Sequence, residues 1–205
     1  MTKFSLIIIG AHNGCGLEEL ILNQIDNVLL IEPVDYNFKS LKERFQKKSK
    51  IYFENIGVSD ERKQTKFYYV KENSIKKLGK DWASGIGSFK KKHILDHHRK
   101  RFKITNYDIE EIDIQILIFD DLVKKYNIDE VEFLFIDTEG FDYNIIKTIN
   151  FDKINIHKIK FEYKHLDDTF KYEVRLSELR NKFSKLNYKE IDFDNENITF
   201  EKISI

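Results

Sequence analysis

The sequence predicts an α/β domain of the Rossmann-like, doubly wound kind: a mostly parallel sheet with helices on both faces, closed by a C-terminal antiparallel hairpin. Three observations predict it. Apolar runs alternate with amphipathic segments along most of the chain, and a glycine-rich turn, GAHNGCG at 10–16, joins the first of each. Near the end, YKEIDF and ITFEKISI alternate in polarity on either side of the turn sequence DNEN.

Residues 4–9 are almost continuously apolar, as a strand buried on both faces must be, and 17–25 put Leu17, Leu20, Ile21 and Ile25 on one helical face. VLLIE at 28–32 is the second strand, stopped by Pro33; Asp35 to Lys47 carries Phe38, Leu41 and Phe45 at helical spacing. IYFEN at 51–55 is the third strand, and TKFYYV at 65–70 a hairpin-type strand. An irregular stretch then runs from Lys71 to about Asp108, too long for a mere connector, and reads as an insertion-like substrate or lid segment. After DIQILIF come a helix from about Asp120, a central strand at 130–137, the helix FDYNIIKTI, the strand HKIKFEYKH, the helix EVRLSELRNKFSKL and the closing hairpin. With no repeat or low-complexity linker, residues 1–205 read as one domain.

Composition narrows the function classes. With 35 basic and 35 acidic residues there is no global field favouring nucleic acid or membrane, and a single cysteine excludes a disulfide framework or a cysteine-rich zinc site. No apolar run is long enough to span a bilayer and no secretory leader opens the sequence, so the expected location is the cytoplasm, with no membrane partner.

In an open parallel sheet, ligands sit beyond the carboxyl ends of the strands. Those ends supply Gly10, His12, Asn13, Gly14 and Gly16 in the loop, Glu32 and Pro33 after the second strand, and Asn55, Ile56 and Gly57 after the third. The fourth gives Asp137 to Gly140 and the fifth Glu162 to His165. Three tips carry acids and the loop has no Lys or Arg. A pyrophosphate cofactor would meet repulsion there, whereas S-adenosylmethionine brings a sulfonium and an ammonium against one carboxylate. Glu32 is then placed for the ribose diol, Asn55 and Ile56 for the adenine, and Asp137 for the cofactor ammonium.

The motifs IIIGAHNG, LLIEPVDYNFKSLKERF, NIGVSDERKQTKFYY, ASGIGSF, FDDLVKKY and above all FLFIDTEGFDYNII resemble the FkbM-type S-adenosylmethionine-dependent methyltransferases, across nearly the whole chain. The resemblance implies a class I methyltransferase fold and methyl transfer, commonly to a hydroxyl of a sugar or other small metabolite. It also implies that the segment carrying Ser84 and Ser88 lies near the pocket. The chain departs from the family pattern at Ile8, where an acid is usual, and at Phe135, often Lys.

Methyl transfer to an alcohol needs alignment and a base. Asp137 and Glu139 flank the expected methyl position, with Glu162 and His165 across from them, and Glu139 or His165 is the expected proton acceptor. Glu139 reads equally as a first-turn acid of the next helix. No resident metal is expected, although Asp137, Glu162 and His165, or His93 and His97 at i and i+4, are residue types that hold one. The two histidines lie in a Lys-rich stretch that reads first as a solvated basic face compensated by the acids of 108–121; a functional patch there suits anionic acceptors. Trp82 reads as a core aromatic, with stacking on a sugar ring as its alternative. Two other functions compete. Tyr143 and Lys147 fit the Y-x-x-x-K of short-chain NAD(P)-dependent oxidoreductases, but Glu130 stands where their serine belongs; ribose O-methylation of RNA remains open, while the lone Pro33 excludes an N-P-P-Y site.

Overall fold

Strands that are apolar on both faces need helices on both, and this chain supplies them. A computed structural model describes residues 2–79, 81–98 and 104–203, with side chains for all of these except Leu78, Asp81, Trp82 and His98. In chain order the strands are β1 (Thr2–Ile9), β2 (Asn27–Ile31), β3 (Ile51–Glu54), β4 (Gly57–Val58), β5 (Lys63–Val70), β6 (Ile109–Leu117), β7 (Ile128–Ile136), β8 (Asn155–Glu162), β9 (Tyr188–Phe193) and β10 (Asn197–Lys202). The helices are α1 (Glu18–Leu22), α2 (Asp35–Phe45), α3 (Glu72–Leu78), α4 (Lys91–His98), α5 (Phe119–Tyr126), α6 (Asp142–Thr148) and α7 (Glu173–Lys185).

The main sheet has the order β3-β2-β1-β7-β8-β10-β9. Its first five strands are parallel, and the last two form the expected antiparallel pair, with β10 seated between β8 and β9. The order reverses between β2-β1 and β7-β8, which makes the ends of β1 and β7 the switch point where a ligand crevice opens.

On one face Phe4, Ile7 and Ile9 pack with Phe119 and Leu122 of α5, Ile145 and Ile146 of α6, and Leu176, Leu179 and Phe183 of α7. On the other, Leu6 and Ile8 pack with Ile21 of α1 and Leu41 and Phe45 of α2. Phe4 and Ile7 would fall on opposite faces of a straight strand. A register shift between Phe4 and Leu6 against β2 absorbs the extra residue and puts both on one side. Ile8 is fully buried in the α1/α2 layer, so the strand beneath the loop is held there by apolar packing. α2 starts at Val34 without a side-chain cap. Its position rests on burying Leu41 and Phe45, each contributing roughly 1.5–3 kcal/mol, more than the about 1 kcal/mol a cap supplies. Its inward stripe is Asn37, Leu41 and Phe45; Phe38 is half-buried, with the Lys42 ammonium over its ring.

Several sequence expectations need correction. The first helix ends at Leu22 rather than near Ile25, which is 83% exposed. The reason is Lys48, whose ammonium takes the carbonyls of Ile21, Leu22 and Gln24 and so ends the helix there. The hairpin-type strand β5 pairs antiparallel with the distant β6, and β6 pairs parallel with β4, forming a second sheet in the order β4-β6-β5. The described residues of the segment 71–108 are not irregular: α3, a 3-10 turn at Asp81–Ser84 and α4 enclose Ile75, Ala83, Ile86 and Ile94 in their own apolar cluster with Val70 and Ile109. No helix among the described residues is long and apolar enough to cross a membrane.

Candidate active site

The tips of β1 and β7 meet so closely that a Cβ on Gly10 would lie 1.8 Å from the Asp137 carbonyl oxygen. From there the loop turns across the end of β2, with the amides of Gly10 and Ala11 both donating to the Ile31 carbonyl. Glu32 anchors it: its oxygens accept the His12 and Val34 amides, each at 2.9 Å. Burial pushes the Glu32 carboxyl up to about 7, against the pull of those two donors and of the Asn37 amide. Asn37 also donates to the Ser84 carbonyl at 3.0 Å, and the His12 ring meets the Ser84 hydroxyl. Ser84 is thereby tied at one end to His12 of the loop and at the other to Asn37 of α2. Burial lowers the His12 pKa, an effect the Glu139 charge partly offsets.

These residues enclose a cavity of about 240 Å³ at the switch point. Of the residues expected there, Gly10, His12, Glu32, Pro33, Ile56, Gly57, Ser84, Asp137 and Glu139 line it. Val34, Val58, Phe67 and Phe89 supply an apolar wall on the side away from the loop, and Asn37 and Thr138 add polar groups. Three carboxyls reach the cavity and, among the described residues, no Lys or Arg does.

The other expected residues lie elsewhere. Asn13 accepts the Cys15 amide and Gly14 backs onto the Phe45 ring, so with Gly16 they shape the loop from behind. Asn55 ties two strand tips together by donating to the Glu32 and Pro33 carbonyls at 3.0 and 3.2 Å. Ser88 is buried in a backbone bridge to Tyr68, and the Trp82 side chain lies outside the described residues. Tyr143 donates to Glu178 and Lys147 pairs with Asp60, both away from the cavity, so the dehydrogenase-type pair has no ligand to serve.

Asp137 stands at the tip of β7 with its side chain exposed on the cavity. The protein packed around it, and then the charges of Glu139 and Asp142, push its carboxyl up, and its access to water limits the effect. Asp142 is fully buried: it accepts the Thr138 hydroxyl at 2.7 Å and the Thr138 and Glu162 amides at 3.3 and 3.2 Å, and burial pushes it up to about 6. It is the clamp that holds the turn after β7 against β8. Asp142→Ala strands those donors in the interior, and we expect a loss of about 2–3 kcal/mol, read from urea unfolding; a loss under about 0.5 kcal/mol would show that the turn holds itself.

Glu139 sits in the left-handed region at φ +52°, which costs a residue with a side chain about 1–3 kcal/mol. The following helix starts after Phe141 with Asp142 as its first-turn acid and no side-chain cap bond, so Glu139 is not a helix cap. Oε2 lies 2.9 Å from His93 Nε2 and 3.8 Å from His165 Nε2. Burial raises the Glu139 carboxyl, but the His93 hydrogen bond and the charges of His93, His165 and His97 together outweigh it and leave the group below its usual range. His93 and His97 are 5% and 3% exposed, which overturns the solvated-face reading. The acids of β6 and α5 pair instead with Lys66 and Arg62. His165 stands behind Glu139, off the cavity wall. It accepts the Phe170 amide on Nδ1 at 2.8 Å, and burial takes its pKa down to about 3. Its proton is therefore on Nε2, facing the carboxylates, which makes it a donor rather than a base. Glu162 Oε1 is 3.5 Å from that nitrogen, its Oε2 is buried with no hydrogen-bond partner, and burial with the Glu139 and Asp137 charges pushes the group well up.

Two site features carried little sequence signal. Asn37 was detectable as the one polar residue in the stripe 37, 41, 45; Phe67 and Phe89 were not, because Phe67 lies on β5 of a second sheet whose pairing is long-range and Phe89 follows Ser88, which is bridged to that strand.

The sequence matches the model of the methyltransferase FkbM domain over residues 9–190. No curated protein matches it. Among solved structures it is similar to a fibrillarin/Nop5p complex at 10% identity, covering 97% of this chain and 70% of that one with a TM-score of 0.48. It is also similar to M. capricolum TrmK in complex with S-adenosyl-homocysteine, at 11% identity over 98% of this chain, with a TM-score of 0.45. For the METTL16 MTase domain the values are 12%, 99% and 0.47. The chain spans 62% and 61% of the length of the latter two.

Proposed function

The chain belongs to the methyltransferase FkbM domain family, whose cofactor is S-adenosylmethionine, and on that premise we propose that it methylates a hydroxyl of a sugar, glycan or small metabolite. The observation that carries this reading is the cavity at the switch point, with three carboxyls and, among the described residues, no Lys or Arg. Such a cavity suits a cofactor that is net positive and opposes one carrying a pyrophosphate.

In this reading Glu32 takes the ribose hydroxyls with the lone pairs its two amide donors leave, and Ile56, Val58, Phe67 and Phe89 supply the apolar surface for the adenine. Asp137 faces the ammonium. Ser84, brought to the cavity by the 71–108 segment, marks the acceptor side, and Glu139 is the carboxylate nearest the proton that the acceptor hydroxyl must lose. His165, with its proton on Nε2, positions Glu139. We read residues 1–205 as one cytoplasmic domain in which 71–108 forms the acceptor wall; Lys90 and Lys91, next to Phe89, favour an anionic acceptor.

Calorimetric titration with S-adenosylhomocysteine and with NAD tests the cofactor, and labelled methyl transfer to neutral sugars, anionic sugars and structured RNA tests the acceptor. Tight NAD binding without S-adenosylhomocysteine binding would overturn the reading, and transfer to RNA alone would replace its acceptor. The titration should also depend on pH. Hydroxyls donate best to an ionised Glu32, so affinity should rise as pH passes through about 7, roughly tenfold between pH 6 and 8. Stability moves the other way. The folded chain holds the Glu32 proton more tightly than the unfolded chain, so this group's contribution to stability falls as pH rises from its ordinary value of 4.5 to about 7. A flat affinity profile would show that Glu32 does not hold the ribose.

A further inference from the structure

We propose that His93, His97 and Glu139 form a binding site for one divalent first-row transition metal, with His165 as a hydrogen-bonding neighbour rather than a ligand. The site joins α4 to the turn after β7. One ligand atom from each of these four side chains lies within 4.8 Å of those of the others. Tetrahedral bonds of about 2.0–2.1 Å set donor atoms about 3.3 Å apart. The 2.9 Å between His93 Nε2 and Glu139 Oε2 is near that value, and the wider pairs close by small ring rotations.

The hydrogen bonds around the rings separate ligands from neighbour. His97 Nδ1 donates to the His93 carbonyl at 2.9 Å, which puts the proton on Nδ1 and the lone pair on Nε2. His93 Nδ1 lies 2.9 Å from the Thr169 hydroxyl, a partner that accepts equally well, so Nε2 can be the metal-binding nitrogen there too. A ring nitrogen fixed by a carbonyl or hydroxyl on its far side is the usual support for a metal-bound imidazole. His165 has the opposite arrangement: Nδ1 accepts the Phe170 amide, so Nε2 keeps its proton and has no lone pair to offer. It can donate that proton to Glu139 or to whatever fills the fourth position.

The left-handed backbone of Glu139 gives independent support, since strain of that kind persists where a side chain must be aimed. Two imidazoles and a carboxylate suit zinc, cobalt, iron or manganese and leave a position open. Metal binding does not depend on methyl transfer. One consequence does rest on that reading: because Glu139 also lines the cavity, the open position is within reach of an acceptor hydroxyl, and the metal would lower that hydroxyl's pKa as a Lewis acid.

A second group of three ligating residues, Glu130, Glu132 and His157, is half-exposed and already holds the Lys3 ammonium. It provides the control. Full-length protein stripped with chelator is titrated with Co(II) and Zn(II), following cobalt absorption and calorimetry. We expect one metal per chain, a visible cobalt band of low-coordinate N/O ligation, and affinity reduced at least 100-fold in His93→Ala, His97→Ala and Glu139→Gln. His165→Ala and His157→Asn should each change it less than tenfold. Circular dichroism shows which variants fold, and the wild-type titration stands if one does not. Absence of stoichiometric binding to wild type, or loss of binding in His157→Asn but not in His97→Ala, would overturn the site. S-adenosylhomocysteine affinity, measured on the same metal-free sample, tests the cofactor reading separately.

Discussion

Replacing Gly10 with alanine is expected to destabilise the protein by about 3–5 kcal/mol, enough to leave much of it unfolded at ordinary temperature. Two effects add. The residue holds φ +87°, a conformation that L side chains rarely adopt, and its new Cβ would sit 1.8 Å from the Asp137 carbonyl oxygen. That oxygen belongs to backbone, so β1 and β7 must separate at the point where the cavity opens, and the ladder bond from the Asp137 amide to the Ile9 carbonyl weakens with it. Gly16 is the natural comparison. It has a similar φ of +80° but nothing within 4 Å of its virtual Cβ, so Gly16→Ala should cost only the backbone term, about 1–2 kcal/mol. Urea midpoints of the two variants decide the matter, and equal losses would mean that contact at Asp137 is relieved by movement.

Glu32→Ala is expected to weaken S-adenosylhomocysteine binding about 100-fold while leaving the sheet folded. Beyond the ribose contact, the change removes the acceptor for the His12 and Val34 amides, each of which then costs about 1–3 kcal/mol if it stays dry. Water admitted to the emptied site recovers part of this in the free protein but not when ligand fills the cavity, so the loss falls mainly on binding. Glu32→Gln should not rescue it. Both carboxylate oxygens receive an N–H, so an amide nitrogen in place of either turns an acceptor into a second donor. Calorimetry on both variants, with thermal melts to confirm folding, gives the answer; affinities within threefold of wild type would remove Glu32 from the cofactor site.

Most of the main sheet was legible because its strands are long apolar runs and its helices carry clear stripes. What failed was short or long-range. Ile25 completes a helical pattern on paper, but Lys48, twenty-odd residues on in the chain, stops the helix. The helices of 71–98 are too short to show a period, and their shared cluster of Ile75, Ala83, Ile86 and Ile94 is completed by Val70 of β5, Ile104 and Ile109 of β6. At the site, the strand tips bring Glu32, Asp137 and Glu139 to one cavity, as a strand end alone can place them, while Glu162 lies off it. His93 and His97 had the right spacing but the wrong surroundings: flanking lysines suggest solvent, and only the fold brings Glu139 and His165 over them. Tautomers are set by tertiary partners, so the sequence offered His165 as a base where the Phe170 amide makes it a donor.

Ser84 meets the His12 ring through its hydroxyl and the Asn37 amide through its carbonyl, and both partners line the cavity that the proposed reading gives to the cofactor. A residue held by both ends cannot shift without disturbing its partners, so the two substrates should feel each other across it. Such an influence is reciprocal: whatever factor the cofactor applies to acceptor affinity, the acceptor must apply to cofactor affinity. A thermodynamic cycle of four titrations should therefore close with a coupling factor different from one, and Ser84→Ala should bring that factor toward one.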